Sequence, residues 1–265
     1  MQFKLPTHQK NSYKGHAGKV LIVGGSEEYY GAPILAALGA ENSGADLITL
    51  FLPSEHVQTA KNYSLNLFLK KFKNSFLSKD NVPHILKEAL NHHALIIGNG
   101  IGKNKKTVEA VLKILESITI PVIIDAEALI PEILKTKNQN KSFILTPHKK
   151  EFERVFDCVA LHNNVKQQAV RHSMTILLKG STDIIASFDG KAHKNETGCS
   201  EMKVGGTGDV LAGIVGSFIS QGLDPYMACC SAAYYFGKCG EALVKNTRYI
   251  SAYDLASAFG KAIKN

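Results

Sequence analysis

The residues with the clearest chemical potential lie in Val204-Gly205-Gly206-Thr207-Gly208-Asp209-Val210-Leu211, where a glycine turn delivers one carboxylate to the first turn of a long helix. Gly205, Gly206 and Gly208 free the backbone to bring consecutive N–H groups to an anion, and Thr207 can cap the helix. Asp209 then stands beside an anion hole. A carboxylate near bound phosphates is a poor countercharge, but it is well placed to take a proton from a hydroxyl that attacks a terminal phosphoryl group. The competing reading is a capped helix whose Asp only complements the macrodipole. A second group, Lys179-Gly180-Ser181-Thr182-Asp183, closes an apolar run with a cation and a flexible turn, both useful beside phosphates, although a Lys at a strand end is often simply solvated. Gly100 and Gly102 read equally as turn formers or as ligand contacts, and His148 follows a proline at a strand end, where loop residues tend to be functional. Taken alone, His148 reads as an ordinary surface histidine. The other histidines, His92-His93 among them, lack ligand spacing.

These groups need elements to hold them. Val210, Leu211, Ile214, Val215, Phe218 and Ile219 form one apolar stripe of a helix, with Gly222 at its C′ position. Lys19 to Val23, Ala94 to Ile97, Pro121 to Ile124, Ser142 to Leu145 and Thr175 to Leu178 are short apolar runs, as expected for strands buried on both faces. Helices are expected at Pro33 to Asn42, Pro83 to Leu90, Thr107 to Glu116, from Ala126, at Glu151 to Phe156 and at Val165 to His172. Asp224-Pro225 and the Ser251/Asp254 capping box open the last two. Leu47 to Leu52 completes a right-handed βαβ unit, and Ile184 to Phe188 with Asp189-Gly190 reads as a hairpin arm. The small residues Ala36, Ala37, Gly39 and Ala40 point to close packing of the first helix against the sheet or another subunit. His56 to Asn91 carries no evident chemistry. The alternation predicts an α/β fold with a mostly parallel, doubly wound sheet flanked by helices, in a single domain over 1–265.

Composition is that of an ordinary globular chain, 45% hydrophobic and 20% charged, which excludes disordered and fibrous classes. The net charge of +8 suits anionic ligands, but the basic residues are scattered rather than gathered in the stripe that nucleic-acid binding shows. Cys158, Cys199, Cys229, Cys230 and Cys239 lack zinc spacing and read as reduced. The first residues lack the apolar core of a signal peptide, and no run of about 18 apolar residues exists to span a bilayer. A cytoplasmic enzyme without a membrane or nucleic-acid partner is expected.

Gly-Gly-Thr-Gly-Asp-Val-Leu resembles the signature of the nucleotide-dependent NAD(P)H-hydrate dehydratases of the ribokinase-like superfamily. The resemblance runs from Leu5-Pro6 and Lys14-Gly15-His16 through Val23-Gly24-Gly25-Ser26 and Thr146-Pro147-His148 to the last helix. It implies that Asp209 is the catalytic base and that Ala32, Gly102, His148 and Asp209 face the hydrated nicotinamide. It gives the nucleotide to Lys179, Gly180, Ser181, Thr182, Asp183 and Gly208, with Gly205, Gly206, Thr207 and Gly208 as the anion hole. It further implies Mg2+, with Glu151 as a candidate to hold its water shell, ADP or ATP as co-substrate, a homotetramer, and a separate NAD(P)HX epimerase as partner. The epimerase pattern is not seen in front of the dehydratase pattern, so the chain reads as a stand-alone enzyme or a fragment. Three departures fall near the site: Glu127 stands in the usual Asp-Ala-Asp-Ala-Leu, Lys149-Lys150 in place of Pro-Gly after the His, and Lys203-Val204 in place of Ala-Thr before Gly205. A small-molecule kinase of the same superfamily, acting on hydroxymethylpyrimidine or hydroxyethylthiazole, would use the same base and anion hole. A non-catalytic nucleotide sensor would have no use for Asp209.

Overall fold

Continuous apolar strands need cover on both faces, and alternate residues along each strand enter two different cores. Val20 and Ile22 join one, Leu21 and Val23 the other, and Ile96 and Ile97 divide in the same way. A computed structural model describes residues 3–7, 18–136 and 143–263 of the chain. Lys14-Gly15-His16 and Ser142 lie outside the described residues.

In chain order the first half comprises β1 (Lys19–Val23), α1 (Gly31–Asn42), β2 (Leu47–Pro53), α2 (Val57–Lys61), β3 (Leu67–Phe72), α3 (Val82–Ala89), β4 (Ala94–Ile97) and α4 (Lys105–Ser117). The second half runs through β5 (Val122–Ile124), β6 (Phe143–Leu145), α5 (Lys149–Phe156), α6 (His162–Arg171), β7 (Thr175–Leu178), β8 (Asp183–Ala186) and β9 (Ala192–Asn195). It ends with α7 (Thr207–Ser220), α8 (Pro225–Leu243) and α9 (Ala252–Ala262). The strands form one sheet in the order β3-β2-β1-β4-β5-β6-β7-β8-β9. Pairing is parallel from β3 to β7, and antiparallel only at β7–β8 and β8–β9. This is the expected mostly parallel, doubly wound α/β architecture. The order reverses between β1 and β4, and crevices beyond strand carboxyl ends at such a reversal are where open α/β sheets bind ligands.

Helices α1, α7, α8 and α9 pack on one face, and α3, α4, α5 and α6 on the other. The small face of α1, expected to pack on the sheet or on another subunit, is taken up by α7: a Cβ at Gly39 would run into the Val210 carbonyl, and one at Gly213 into the Ala36 carbonyl. Consequently α7 is buried on all sides from Val210 to Ser220 instead of along one stripe. Its end is as expected. Gly222, at φ +96°, closes a Schellman motif with Gly222 N–H on Ile219 O and Leu223 N–H on Phe218 O.

Elsewhere the structure corrects the reading. Ala126 to Ala128 make a single 3₁₀ turn rather than a helix start, with Ala126 at φ 50°. Asp183 belongs to β8, and β9, α2 and β3 carry too little apolar periodicity to be seen in the sequence. The caps of the last two helices form as expected: Asp224 accepts from Met227 N–H, and Ser251 exchanges hydrogen bonds with Asp254. His92 is a packed residue, bonded to the Glu88 carbonyl and the Thr49 hydroxyl. All five cysteines are free thiols.

Candidate active site

Four polar side chains come from the carboxyl ends of four neighbouring parallel strands: Asn99 beyond β4, Asp125 beyond β5, Thr146 beyond β6 and Lys179 beyond β7. A fifth, Asp209, arrives from the first turn of α7. They form one connected network. Asn99 Nδ2 donates to Asp209 Oδ1 at 2.7 Å and to Asp125 Oδ2 at 3.0 Å. Asp125 Oδ1 receives the Thr146 hydroxyl at 2.8 Å and the Lys179 ammonium at 2.7 Å. Asn99 and Asp125 are 0% and 1% exposed.

The backbone needed for this geometry is glycine-dependent at two points. Gly98 has φ +126° and lies so close to the Asp125 carbonyl that any side chain would collide. Gly206, the N-cap of α7, has φ +93°, and a Cβ there would strike Leu35. Thr207 is therefore the first helical residue and not the cap; its hydroxyl donates to the Val204 carbonyl instead. The first-turn amides of α7 have no acceptor within the helix, so they offer donors and the positive end of the dipole to an anion.

Burial governs the electrostatics. The Asp209 carboxyl is pushed up to about 7 by burial and by the Asp125 charge, against the opposing pull of the Asn99 hydrogen bond and the Lys179 ammonium. Burial pulls Lys179 down, but the carboxylates of Asp125, Glu151 and Asp209 outweigh it and hold the ammonium above its ordinary value. Burial likewise raises Glu151, opposed by Lys179. A carboxylate that titrates near neutrality is suited to general-base work.

Two clefts are lined by the network or by residues next to it in the chain. The larger, about 540 Å³, is lined on one side by Lys179, Gly180, Ser181 and Asp183, with Thr207 and Gly208 at the start of α7, and on the other by apolar Ala233 and Phe236 of α8. Lys203 also lines it. The smaller, about 420 Å³, is lined by Ser26, Tyr29, Phe76, Gly102 and Glu127 among others. Lys179 of the network lines the larger cleft, while the smaller is lined by Gly102, three residues after Asn99, and Glu127, two after Asp125.

The residues singled out in the sequence thus fall into distinct places. Lys179, Gly180, Ser181, Asp183, Thr207 and Gly208 share the larger cleft. Thr182 is on the same turn but outside that lining, and Gly205 and Gly206 precede it as the turn into α7. Gly102 lines the smaller cleft, and Ala32, in the first turn of α1, neighbours Gly100. His148 caps α5: its Nδ1 accepts from Glu151 N–H, while Glu151 Oε2 accepts from His148 N–H. Asp183 ties its own turn down, accepting from Gly180 N–H and from Asn195 Nδ2. For a divalent cation, no group of three ligating side chains exists among the described residues, and the Asp125 oxygens are already engaged. A divalent cation here would depend on oxygens beyond those of the side chains, and Glu151, whose charge acts on Lys179, is a carboxylate at hand.

The sequence reading overlooked Asn99 and gave Asp125 no role. Asp125 ending a buried strand was the available signal; Asn99 between two glycines gave none. The far wall of the larger cleft, from Thr197 to Met202 and on α8, was missed as well.

A sequence model of the NAD(P)H-hydrate dehydratase family matches residues 20–264. The chain is 37% identical to a bifunctional NAD(P)H-hydrate repair enzyme of Hyperthermus butylicus, over 96% of this chain and 50% of the relative. It therefore spans about half the length of that relative. It is 33% identical to an ADP-dependent (S)-NAD(P)H-hydrate dehydratase of Nitrosopumilus maritimus, over 98% of this chain and 93% of the relative. Among solved structures it resembles the ADP/ATP-dependent NAD(P)H-hydrate dehydratase of Bacillus subtilis co-crystallized with ATP/Mg2+, at TM-score 0.85 and 26% identity, covering 97% and 93% of the two chains. With the glycine turn, Asp209 and the strand-end network all inside the matched range, the chain belongs to the NAD(P)H-hydrate dehydratase family.

Proposed function

We propose that this chain dehydrates the S epimer of NADHX or NADPHX to NADH or NADPH, with ADP, or ATP, converted to AMP, or ADP, and phosphate. The observation that carries the proposal is the position of Asp209: a carboxylate titrating at about 7 in the first turn of α7, tied through Asn99 to the strand-end network and next in the chain to Thr207 and Gly208, which line a cleft with phosphate-binding features.

In this reading the nucleotide occupies the larger cleft. Its base lies toward Ala233 and Phe236, and its phosphates lie at Lys179, Gly180 and the Gly205 to Gly208 turn. The hydrate occupies the smaller cleft by Gly102, and Ala32 and His148 are assigned to its contacts on the family resemblance. Asp209 takes the proton of the ring hydroxyl, whose oxygen attacks the terminal phosphorus as the bond to the nucleotide's bridging oxygen breaks. The amides at the head of α7 and the Lys179 ammonium stabilise the charge on the transferring group. The ring nitrogen's lone pair then expels phosphate, and loss of a proton from the adjacent ring carbon restores the dihydronicotinamide. Mg2+, when bound with the nucleotide, would supply further charge neutralisation beside Lys179.

The proposal includes one functional domain over 1–265, a homotetramer, a cytoplasmic setting and a separate NAD(P)HX epimerase that supplies the S epimer. No helix among the described residues is long and apolar enough to cross a membrane.

Purified protein given the hydrate, Mg2+ and ADP should regenerate dihydronicotinamide absorbance and release one phosphate per turnover. A stable phosphorylated product without the absorbance gain would instead establish a small-molecule kinase. Binding without turnover would establish a nucleotide sensor. ADP is the expected donor, and activity with ATP alone would overturn that choice.

A further inference from the structure

Asn99 is the least expected member of the network. Its side chain is fully buried, and both neighbours within reach of one end are carboxylates, which accept hydrogen bonds and cannot donate them while ionised. The amide NH2 must therefore face them, and each hydrogen is used: one on Asp125 Oδ2, one on Asp209 Oδ1. The amide oxygen, by contrast, is buried with no partner among the described residues. What the side chain supplies to the network is therefore its two donors.

We propose that Asn99 is a positioning residue for the base. It fixes Asp209 Oδ1 by one N–H, leaves Oδ2 to meet the substrate hydroxyl, and uses its other N–H to lock that arrangement to Asp125 and, through it, to Lys179. The inference rests on the role proposed for Asp209 above. Asn99 exchanges no proton and touches no reacting atom; it works on two like charges that would otherwise repel across a water-poor space. The charged groups acting on Asp209 are Asp125, Glu127 and Lys179, and Glu151 acts on Asp125 and Lys179 in turn. Asp125 and Glu127 favour the protonated, inactive base, while Lys179 and the Asn99 N–H favour the ionised one. Removing the Asn99 donors tips that balance toward the proton.

The test compares wild type with Asn99→Leu, of similar shape without donors, and Asn99→Ser, which keeps one donor. Protein labelled with ¹³C at aspartate carboxyls reports the Asp209 titration directly, the signal being assigned by its loss in Asp209→Asn. Asn99→Leu should raise the midpoint by about one pH unit or more. It should lower kcat roughly fivefold or more at neutral pH, with recovery toward wild type at alkaline pH and with KM for ADP within about twofold. Asn99→Ser should fall between. An unchanged midpoint, or a kcat deficit equal at every pH, would overturn the proposal. Thermal melts identify a variant that does not fold, and Asn99→Ser then decides. If wild type shows no hydrate-dependent turnover while Asn99→Leu still moves the midpoint, the dehydratase reading falls and the hold of Asn99 on Asp209 stands.

Discussion

On one face of the sheet, α4 buries a single stripe, Thr107, Ala110, Val111, Ile114 and Leu115, and leaves its other side to solvent. On the opposite face, α7 is enclosed from Val210 to Ser220 by α1, α8, α9 and the sheet. The first arrangement is an amphipathic helix resting on a core. The second is a helix passing through a core, with glycine at the points of closest approach: Gly39 and Gly213 against backbone, and Gly216, where a Cβ would fall 2.6 Å from Ile96 Cδ1. The difference has a functional sense. The helix that carries Asp209 cannot slide or rotate without pushing on α1, so its first turn is held against the strand-end network. The amphipathic layer has no such duty.

The largest effect should come where the enclosed layer meets the chemistry. Asp209→Asn should lower turnover by roughly a hundredfold to ten-thousandfold, as general-base loss does, while nucleotide affinity stays nearly intact. The same change should stabilise the fold above neutral pH. The carboxyl sits at about 7 in the folded chain against 3.8 for the free side chain, so the native state holds this proton more tightly than the unfolded state. Its contribution is then present at low pH and declines as pH rises from about 4 to about 7, by up to ~4 kcal/mol. Denaturation of both proteins across this range should show wild type losing stability where the variant does not. Wild-type kcat/KM should fall about tenfold per unit as pH drops below about 7, because the base of the free enzyme is then protonated. A flat profile across that region would separate the buried position of Asp209 from any part in proton transfer.

Next in size is the packing itself. Gly213→Ala places a methyl group against the Ala36 carbonyl, with Ala40 N only 3.0 Å away, and both neighbours are backbone. Overpacking costs about 1–3 kcal/mol and outweighs a helix-propensity gain of up to about 1 kcal/mol. Ile114→Val on α4 removes one methyl group and should cost about 0.5–1.5 kcal/mol. Chemical denaturation of the two variants compares the faces directly. If Gly213→Ala proved neutral or stabilising, the close fit of α1 on α7 would not be what fixes the head of α7.

The same contrast decides how much was legible. Strands β1, β4, β5 and β7 show in the sequence because burial on both faces makes unbroken apolar runs, and α4 shows because a solvent side leaves a period. An enclosed helix has no polar side to mark its orientation, so the apolar spacing of α7 revealed a helix and misjudged it as a stripe. Asp209 and Lys179 were readable because glycine turns beside them have a chemical reason. Asn99, Asp125 and Thr146 were not, since their partnership depends on β4, β5 and β6 being neighbours in the sheet, a long-range fact that local spacing does not encode. Thr207 was misassigned as a cap because Gly206, able to adopt φ +93°, takes that position without a side chain.

The smallest effects should be those that ignore the contrast altogether. Asn104 caps α4 by accepting from Lys106 N–H at 2.9 Å, and Ser251 caps α9, on the enclosed face, by accepting from Asp254 N–H at 3.1 Å. Each satisfies one donor that the first turn of a helix leaves open, an interaction confined to a few residues and indifferent to what lies behind the helix. Asn104→Ala and Ser251→Ala should therefore each cost about 1 kcal/mol. The Ser251 change also removes the hydroxyl, the first of two donors, hydroxyl and backbone N–H, that hold the Asp254 carboxylate below the usual range. That contribution is present above the ordinary Asp value and is lost as pH falls through the lower folded one, so the two caps should match most closely in acid. Melting curves at neutral and acid pH measure both. A Ser251→Ala loss several times that of Asn104→Ala at every pH would mean that the enclosed layer transmits even a terminal defect into its core, and the two faces would then differ in cooperativity as well as in packing.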